Sequence, residues 1–321
     1  MSGRLETWVL GTGRLRGAEP GNRAFMRDAI LLGRLKSRRG VEEFTRAQNL
    51  LTERGIRITQ SHTVESKKEL TKRLKQAIKS GCGLVIVSGG DGTQTTAVAS
   101  FAEKKATLGV LPAGTGNSFA HSLGIGSDFE RAIEAIVNGK EIKVDLGVVN
   151  GTYFANFATI GLASEIGDET PNLLKRITGP VAYGLAGIKP MLTHQPFKCT
   201  VKWKHNTLKL ETHQIIVANG RYYGHEALTP SATIVDGELT FFATTGTSRL
   251  DILRQFTALV RGDQTQMRDA HYFSAKNISI KTDGREDLSI DGSAIGTTPA
   301  KFSVARKALR VMVPQDFPEG T

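Results

Sequence analysis

The chain has 321 residues, 39% hydrophobic and 23% charged. That balance excludes a disordered chain, and the length exceeds what one hydrophobic core usually supports, so two domains are expected. The net charge of +11 is concentrated at the start, where residues 1–80 hold 18 Lys/Arg against 8 Asp/Glu; such a face attracts phosphate-rich partners, but no zinc finger or RNP aromatic motif accompanies it, so nucleic acid is not an expected partner.

The two cysteines, Cys82 and Cys199, have no Cys or His at metal-ligand spacing and read as reduced thiols of a cytoplasmic protein. The start MSGRLETWVL lacks the apolar stretch of a signal peptide. The longest uncharged run, 146–164, is broken by Asn150-Gly151, which predicts two strands and a tight turn rather than a membrane span.

In chain order, Thr7 to Leu10 is a short strand candidate ending at Gly11. Phe25 to Leu35 and Val41 to Arg54 show helical spacing, the second closed by Gly55. Ile56 to Thr59 is a β-branched strand, and Ser66 to Lys79 an amphipathic helix with Leu70, Leu74, Ala77 and Ile78 on one side. Leu84 to Val87 is a continuous apolar run, the mark of a buried parallel strand. Helices over Thr95–Lys104 and Phe129–Asn138 alternate with a strand over Thr107–Leu111. This alternation predicts a parallel α/β domain over residues 1–141.

From Ile142 the pattern becomes short strands: Lys143–Val149, Tyr153–Ile160, Lys198–Lys204, His213–Ala218, Leu239–Ala243, Asn277–Thr282, Leu288–Ile290, Lys301–Val304 and Leu309–Val313. A β-rich second domain over 142–313 is expected, with the tail from about 314 returning to the first domain. One helix, Leu250 to Arg261, interrupts the strands, and Ser164 to Pro196 reads as a helical lid.

Two loops carry the chemistry. Gly89-Gly90-Asp91-Gly92-Thr93 follows the Leu84–Val87 strand and precedes a helix. Glycines there let backbone N–H groups approach an anion, and the helix N-terminus adds a favourable dipole. A carboxylate in a phosphate loop repels phosphate, so Asp91 points to a contact with Mg²⁺, a water or an attacking hydroxyl. Leu111-Pro112-Ala113-Gly114-Thr115-Gly116-Asn117 sits equivalently after the next strand, with Thr115 and Asn117 as hydrogen-bond donors to phosphate. Both loops fall at the C-terminal ends of sheet strands, where α/β folds bind ligands.

The pair GGDGT and LPAGTGNSFA resembles the diacylglycerol kinase catalytic-domain superfamily, which includes bacterial lipid kinases and sphingosine kinases. GGDGT is shared with NAD kinases and, with variation, phosphofructokinases; the GTGN loop favours the lipid kinases. The likeness continues through Asn156–Ile166, Ala218–Gly224, Thr229–Leu239 and Leu288–Pro314. It implies a phosphofructokinase/NAD-kinase-like nucleotide domain, a β-rich lipid domain, ATP and Mg²⁺ as cofactors, and a membrane lipid substrate reached by peripheral membrane contact. A homodimer would resemble bacterial relatives.

The resemblance also implies residue roles. Thr63, Gly89, Gly90, Asp91, Gly92, Thr93, Gln94, Thr95, Gly114, Thr115 and Asn117 would hold the nucleotide. Asp236, with the carbonyls of Leu239 and Phe241, would organise Mg²⁺ or a water network. Two departures stand out. The family's Asn-Pro-type first loop is matched here by Gly11-Thr12-Gly13-Arg14-Leu15, and its late Asp-Gly-Glu by Asp291-Gly292-Ser293. Ser293 cannot act as a base near neutral pH, which leaves Asp91 as the expected base and Asp291 to orient the acceptor. The seven histidines show no metal or catalytic spacing, and no Gly-x-Ser-x-Gly elbow appears. The alternatives are a homologue that binds nucleotide or lipid with weakened turnover, and a kinase of a soluble acceptor such as NAD.

Overall fold

Where apolar residues run without alternation, a strand is buried on both faces. Leu84, Val85, Ile86 and Val87 do this, at 1% exposure or less, and around them the first domain assembles in a computed structural model. The structure describes residues 27–35, 38–162, 164, 193–223, 226–227, 232–246, 248, 251 and 269–318.

The first part runs β1 (Arg27–Gly33), α1 (Arg38–Glu53), β2 (Ile56–Thr63), α2 (Lys67–Lys79), β3 (Leu84–Gly89), α3 (Asp91–Phe101), β4 (Thr107–Pro112), α4 (Ser118–Ser122) and α5 (Phe129–Asn138). Then come β5 (Lys140–Val149), β6 (Thr152–Phe154), β7 (Phe157–Gly161), β8 (Phe197–Trp203), β9 (Asn206–Thr212), β10 (Gln214–Ala218), β11 (Tyr222–Tyr223) and β12 (Glu226–Ala227). The last strands are β13 (Leu239–Thr244), β14 (Ala270–Ala275), β15 (Asn277–Thr282), β16 (Asp287–Ile290), β17 (Ser293–Thr297) and β18 (Ala300–Val313).

Strands β2, β1, β3 and β4 pair in that order, all parallel. Strand β18 then carries the sheet across the domain boundary. Its Val311 pairs parallel with Leu108 of β4, while Ala300–Ser303 pair antiparallel with β15, followed by β8 and β9. Strand β5 pairs along most of β18, with an irregularity between Ala305 and Leu309. A second, antiparallel sheet of order β14-β13-β10-β7-β16-β17 packs against the far half of the first. The core between them includes Val201, Ile215, Phe241, Ile280 and Phe302.

Local rules account for the helices. In α2, the Ser66 hydroxyl accepts from the Glu69 N–H at 3.1 Å, and Leu70, Leu74 and Ala77 face the core. In α5 the Asp128 carboxylate caps in the same way.

Several expectations are corrected. Residues 27–33 form a strand, not part of a helix over Phe25–Leu35, because Ala29–Leu32 fill an inner position between β2 and β3. The first strand candidate, Thr7–Leu10, and the Gly11–Leu15 loop lie outside the described residues, as do the bulk of the 164–196 lid and of the 250–261 helix. The expected strand Tyr153–Ile160 is broken at Ala155-Asn156 into β6 and β7. The two expected strands Lys301–Val304 and Leu309–Val313 are the single bulged β18. The helix expected from Thr95 begins at Asp91, so Asp91 to Gln94 form its first turn. The Asn150-Gly151 turn forms as expected, with φ of 48° and 83°.

Candidate active site

The two glycine loops touch each other at the C-terminal ends of β3 and β4. The Ala113 N–H donates to the Gly89 carbonyl at 3.2 Å. A Cβ on Gly114 would stand 2.5 Å from the Gly90 Cα, and one on Gly89 would strike the Thr93 side chain. Gly114 is therefore required by loop-to-loop packing and Gly89 by packing within its own loop. Gly92 differs: a Cβ there meets nothing within 4 Å, so its bareness leaves open space at the start of α3. That helix begins on Gly90 without a side-chain cap, which leaves its first N–H groups available to an anion.

Asp91 joins the loops. Its carboxylate accepts from the Ser118 N–H at 2.7 Å and the Asn117 N–H at 3.0 Å. Asn117, with φ of 52°, is 1% exposed. Its Oδ1 accepts from the Gly114 N–H, and its Nδ2 donates to the Gly114 carbonyl and to Ser127 Oγ. The Asn117 amide is thus used inside its own loop, which it shapes. Gln94 is equally buried and donates to the Gly89 carbonyl at 3.1 Å. Thr115 and Gly114 are exposed beside Asp91 and Thr95, and Thr63 ends β2 in register with Gly33.

Sequence reading missed Arg34, which follows β1 directly. Its N–H donates to the Ser88 carbonyl at 3.1 Å and its Nε to the Glu65 carbonyl at 3.2 Å. This cation is fixed at the rim between Thr63 and the Gly89 loop. The continuous run Ala29–Leu32 was the signal for it.

The second domain contributes Asp291 and Ser293. Asp291 and Gly292 form a left-handed turn, with φ of 43° and 74°. The Asp291 carboxylate accepts three backbone N–H groups, from Ala155 at 2.9 Å, Asn156 at 3.0 Å and Phe157 at 3.1 Å. These bonds anchor the hairpin to the break between β6 and β7. Burial pushes the Asp291 pKa up, the three N–H groups pull it down, and the negative charge of Asp91 raises it further. One groove, lined by Thr95 and Thr96 of α3 and by Ile290 and Ser293 of the hairpin, runs between these two parts of the chain. Ser293 follows as the first residue of β17, half-buried.

Asp236 lies apart from this pair. It accepts from the Thr233 and Glu238 N–H groups, and the neighbouring Gly237 N–H donates to Asp145 at 2.7 Å. Burial raises the Asp236 pKa most, and the Asp145 charge adds to it. Asp145 itself is 3% exposed and also accepts from the Lys307 N–H. Leu239 and Phe241 are in β13, fully buried, with β13 flanked by β10 and β14. Among the described residues no group of three or more His, Cys, Asp or Glu could hold a metal ion.

A family model described as the diacylglycerol kinase catalytic domain matches residues 36–149, and the YegS C-terminal NAD kinase beta sandwich-like domain matches 158–313. A protein named diacylglycerol kinase from Staphylococcus epidermidis is 30% identical over 261 residues, covering 80% of this chain and 83% of its own. One of the same name from Staphylococcus aureus is 30% identical over 262 residues, covering 81% and 83%.

The chain belongs to the diacylglycerol kinase family.

As a member of the diacylglycerol kinase family it is an enzyme of the lipid-kinase class. Its fold agrees. A diacylglycerol kinase structure from Bacillus anthracis superposes with a TM-score of 0.69 over 91% of this chain and 98% of that one, at 21% identity. A second structure from that organism reaches 0.78 over 94% and 100%, at 22% identity. Within this diacylglycerol kinase family member, the first family-model match begins at residue 36, just after Arg34, which places the described β1 ahead of it.

Proposed function

We propose that this lipid kinase transfers the γ-phosphoryl group of ATP, with Mg²⁺, to a hydroxyl of diacylglycerol or a related membrane lipid. One observation carries the reading: Asp91 ties two glycine loops together at the mouth of β3 and β4 by accepting from the Asn117 and Ser118 N–H groups. Nucleotide phosphates belong at the bare start of α3, between Gly92, Thr95 and Thr115, with Arg34 and Thr63 on the rim.

In the transfer step the acceptor oxygen attacks the γ-phosphorus, and the bond from that phosphorus to the bridging oxygen breaks. ADP leaves with the electron pair. The hydroxyl proton passes to the Asp91 carboxylate, each of whose oxygens keeps a lone pair beyond its one backbone N–H. Such a transition state is loose and relies on positioning and charge neutralisation, which is why Ser293 in place of a carboxylate is compatible with turnover. Asp291 acts by holding the hairpin that presents Ser293, since its oxygens already accept three N–H groups.

The Asp236 site fits a divalent cation through its chemistry. Its carboxylate is on the surface and close enough to Asp145 to be raised by it, and Mg²⁺ favours one or two carboxylates with several waters. Asp236, with the carbonyl of Leu239 at the start of β13 as a partner, would hold it, and the ion would supply positive charge there; Phe241 pairs with both β10 and β14, so its carbonyl belongs to the sheet. No described helix is long and apolar enough to cross a membrane, and the basic faces of the first domain support docking at an anionic lipid surface.

Phosphate transfer from labelled ATP with Mg²⁺ to a panel of lipids in mixed micelles tests the proposal. Transfer to one lipid, reduced at least ~10²-fold in Asp91→Asn, is expected. Full turnover in Asp91→Asn, with nucleotide still bound, would remove the assigned base. No transfer by the native chain would remove the reaction.

A further inference from the structure

Ser293 puts a hydroxyl into a groove of about 840 Å³ between α2, α3 and the β16–β17 hairpin. The hydroxyls on the helical walls of this groove are already committed. Thr71, Thr95, Thr96 and Ser100 each donate to the carbonyl four residues earlier, at 2.8 or 2.9 Å. The Ser293 hydroxyl has no such tie among the described residues.

The backbone around Ser293 is held firmly. Its strand partner Ile290 pairs on the other side with Ala158 of β7. Between them, the Asp291 carboxylate accepts from the N–H groups of Ala155, Asn156 and Phe157. Ser293 is therefore presented in a fixed place, in one groove with Thr95 and Thr96 of α3. That is the helix whose bare start was assigned above to nucleotide phosphates.

The charge of the groove is one-sided. Lys67, Lys75 and Lys79 of α2 and Lys104 beyond α3 line it, and no Asp or Glu does. None of the four has an ion-pair partner among the described residues. The groove at α5 is the contrast: its Arg131 and Arg54 are neutralised by Asp316 at 2.8 Å and Glu134 at 3.4 Å. An anion is the natural counterpart of the lysines. A phosphate on Ser293 would be tethered inside their groove, with a charge of about −1.5 to −2 and three acceptor oxygens.

Resting on the kinase reading above, we infer that the enzyme phosphorylates itself on Ser293 and that the lysine groove seats the resulting phosphoserine. The Ser293 Oγ attacks the γ-phosphorus of bound ATP, and the bond from that phosphorus to the bridging oxygen breaks. ADP leaves with the electron pair, and the hydroxyl proton passes to the Asp91 carboxylate. A hydroxyl held on the same chain as the bound donor reacts without a diffusional encounter. Serine at this position is thus an acceptor, where a carboxylate could not be one.

The test is incubation of the full chain with labelled ATP and Mg²⁺ in the absence of lipid, followed by mass-spectrometric mapping of the phosphate. Label is expected on Ser293, and is expected to be lost in Ser293→Ala and in Asp91→Asn. Phosphorylation should raise the thermal midpoint of the native chain. Lys75→Gln/Lys79→Gln should abolish that rise, while Lys202→Gln/Lys209→Gln, an equal loss of charge on β8 and β9, should keep it. Label on another residue, Thr152 and Tyr153 of the same groove included, or label that survives Asp91→Asn, would overturn the assignment. A rise that both lysine pairs keep would take the phosphate out of the lysine groove and overturn the seat. A parallel assay with lipid in mixed micelles separates this inference from the reading beneath it. Lipid phosphorylated while the chain stays unlabelled would sink self-phosphorylation alone. Ser293 labelled with no lipid accepted would keep it and sink the lipid acceptor. Neither label nor transfer would sink both.

Discussion

Gly90 and Gly114 meet backbone to backbone: a Cβ on Gly90 would come 3.0 Å from the Gly114 Cα, and one on Gly114 2.5 Å from the Gly90 Cα. The two glycine loops are thus a single packed unit. Gly114→Ala forces the unit apart and is expected to cost about 1–3 kcal/mol, read as a lower thermal midpoint, together with weaker ATP binding. Gly92→Ala adds its methyl to open space in the first turn of a helix. It is expected to keep the thermal midpoint while weakening ATP binding. If both variants lowered the midpoint equally, packing would not be what distinguishes these glycines.

Asp291→Asn keeps a residue that tolerates the left-handed turn, and with its Oδ1 kept on the Asn156 and Phe157 N–H groups it sets an amide NH₂ against the Ala155 N–H. Destabilisation of about 1–3 kcal/mol is expected in acid. The pH dependence has a definite sign. The folded pKa is raised above the ordinary 3.8, chiefly by burial, so between these two values the folded state binds more protons than the unfolded one. The native chain therefore loses stability from this group as pH rises above 3.8, and Asn cannot follow it. The gap between native and variant should be widest in acid and narrow toward neutrality. Denaturant titrations across pH would contradict this if the gap widened instead.

His194 behaves in the opposite sense. Its Nδ1 lies 3.1 Å from the Nδ1 of His213, which is 2% exposed. Burial first, and the neighbouring imidazole second, lower the His194 pKa from 6.5 to about 4. Between those values the unfolded chain takes up a proton that the fold refuses, so stability is lost as pH falls from 6.5 toward 4. Thermal midpoints of His194→Gln should fall less steeply over that window. An unchanged slope would mean that this pair does not set it.

The proposed Mg²⁺ site at Asp236 has its own readout. Added Mg²⁺ is expected to raise the thermal midpoint of the native chain, by mass action on a folded-state site, and to leave Asp236→Asn unmoved. Equal shifts in both would take the cation elsewhere.

How far the sequence could be read depended on the distance over which each residue acts. The two loops were legible because Gly89–Thr93 and Gly114–Asn117 are local patterns between a buried strand and a helix. Strand β1 was not, because Phe25, Met26, Ala29, Ile30 and Leu35 satisfy a helical period as well as Ala29–Leu32 satisfy an apolar run. Only its place between β2 and β3 decides. The anchoring role of Asp291 was out of reach for another reason: its three donors are Ala155, Asn156 and Phe157, more than a hundred residues earlier. Likewise, Asn117 looked like a phosphate donor until its amide was seen to close on Gly114.

Strand β18 has a consequence for synthesis. The edge of β4 that it covers belongs to the first domain, yet Val311 is made about two hundred residues after its partner Leu108. A growing chain carries both glycine loops with that edge bare, and Asp291 still to come, throughout the synthesis of the second domain's earlier strands. The cleft is therefore completed only once β18 has been made, and a chain cut short before residue 300 lacks the strand that joins the two halves.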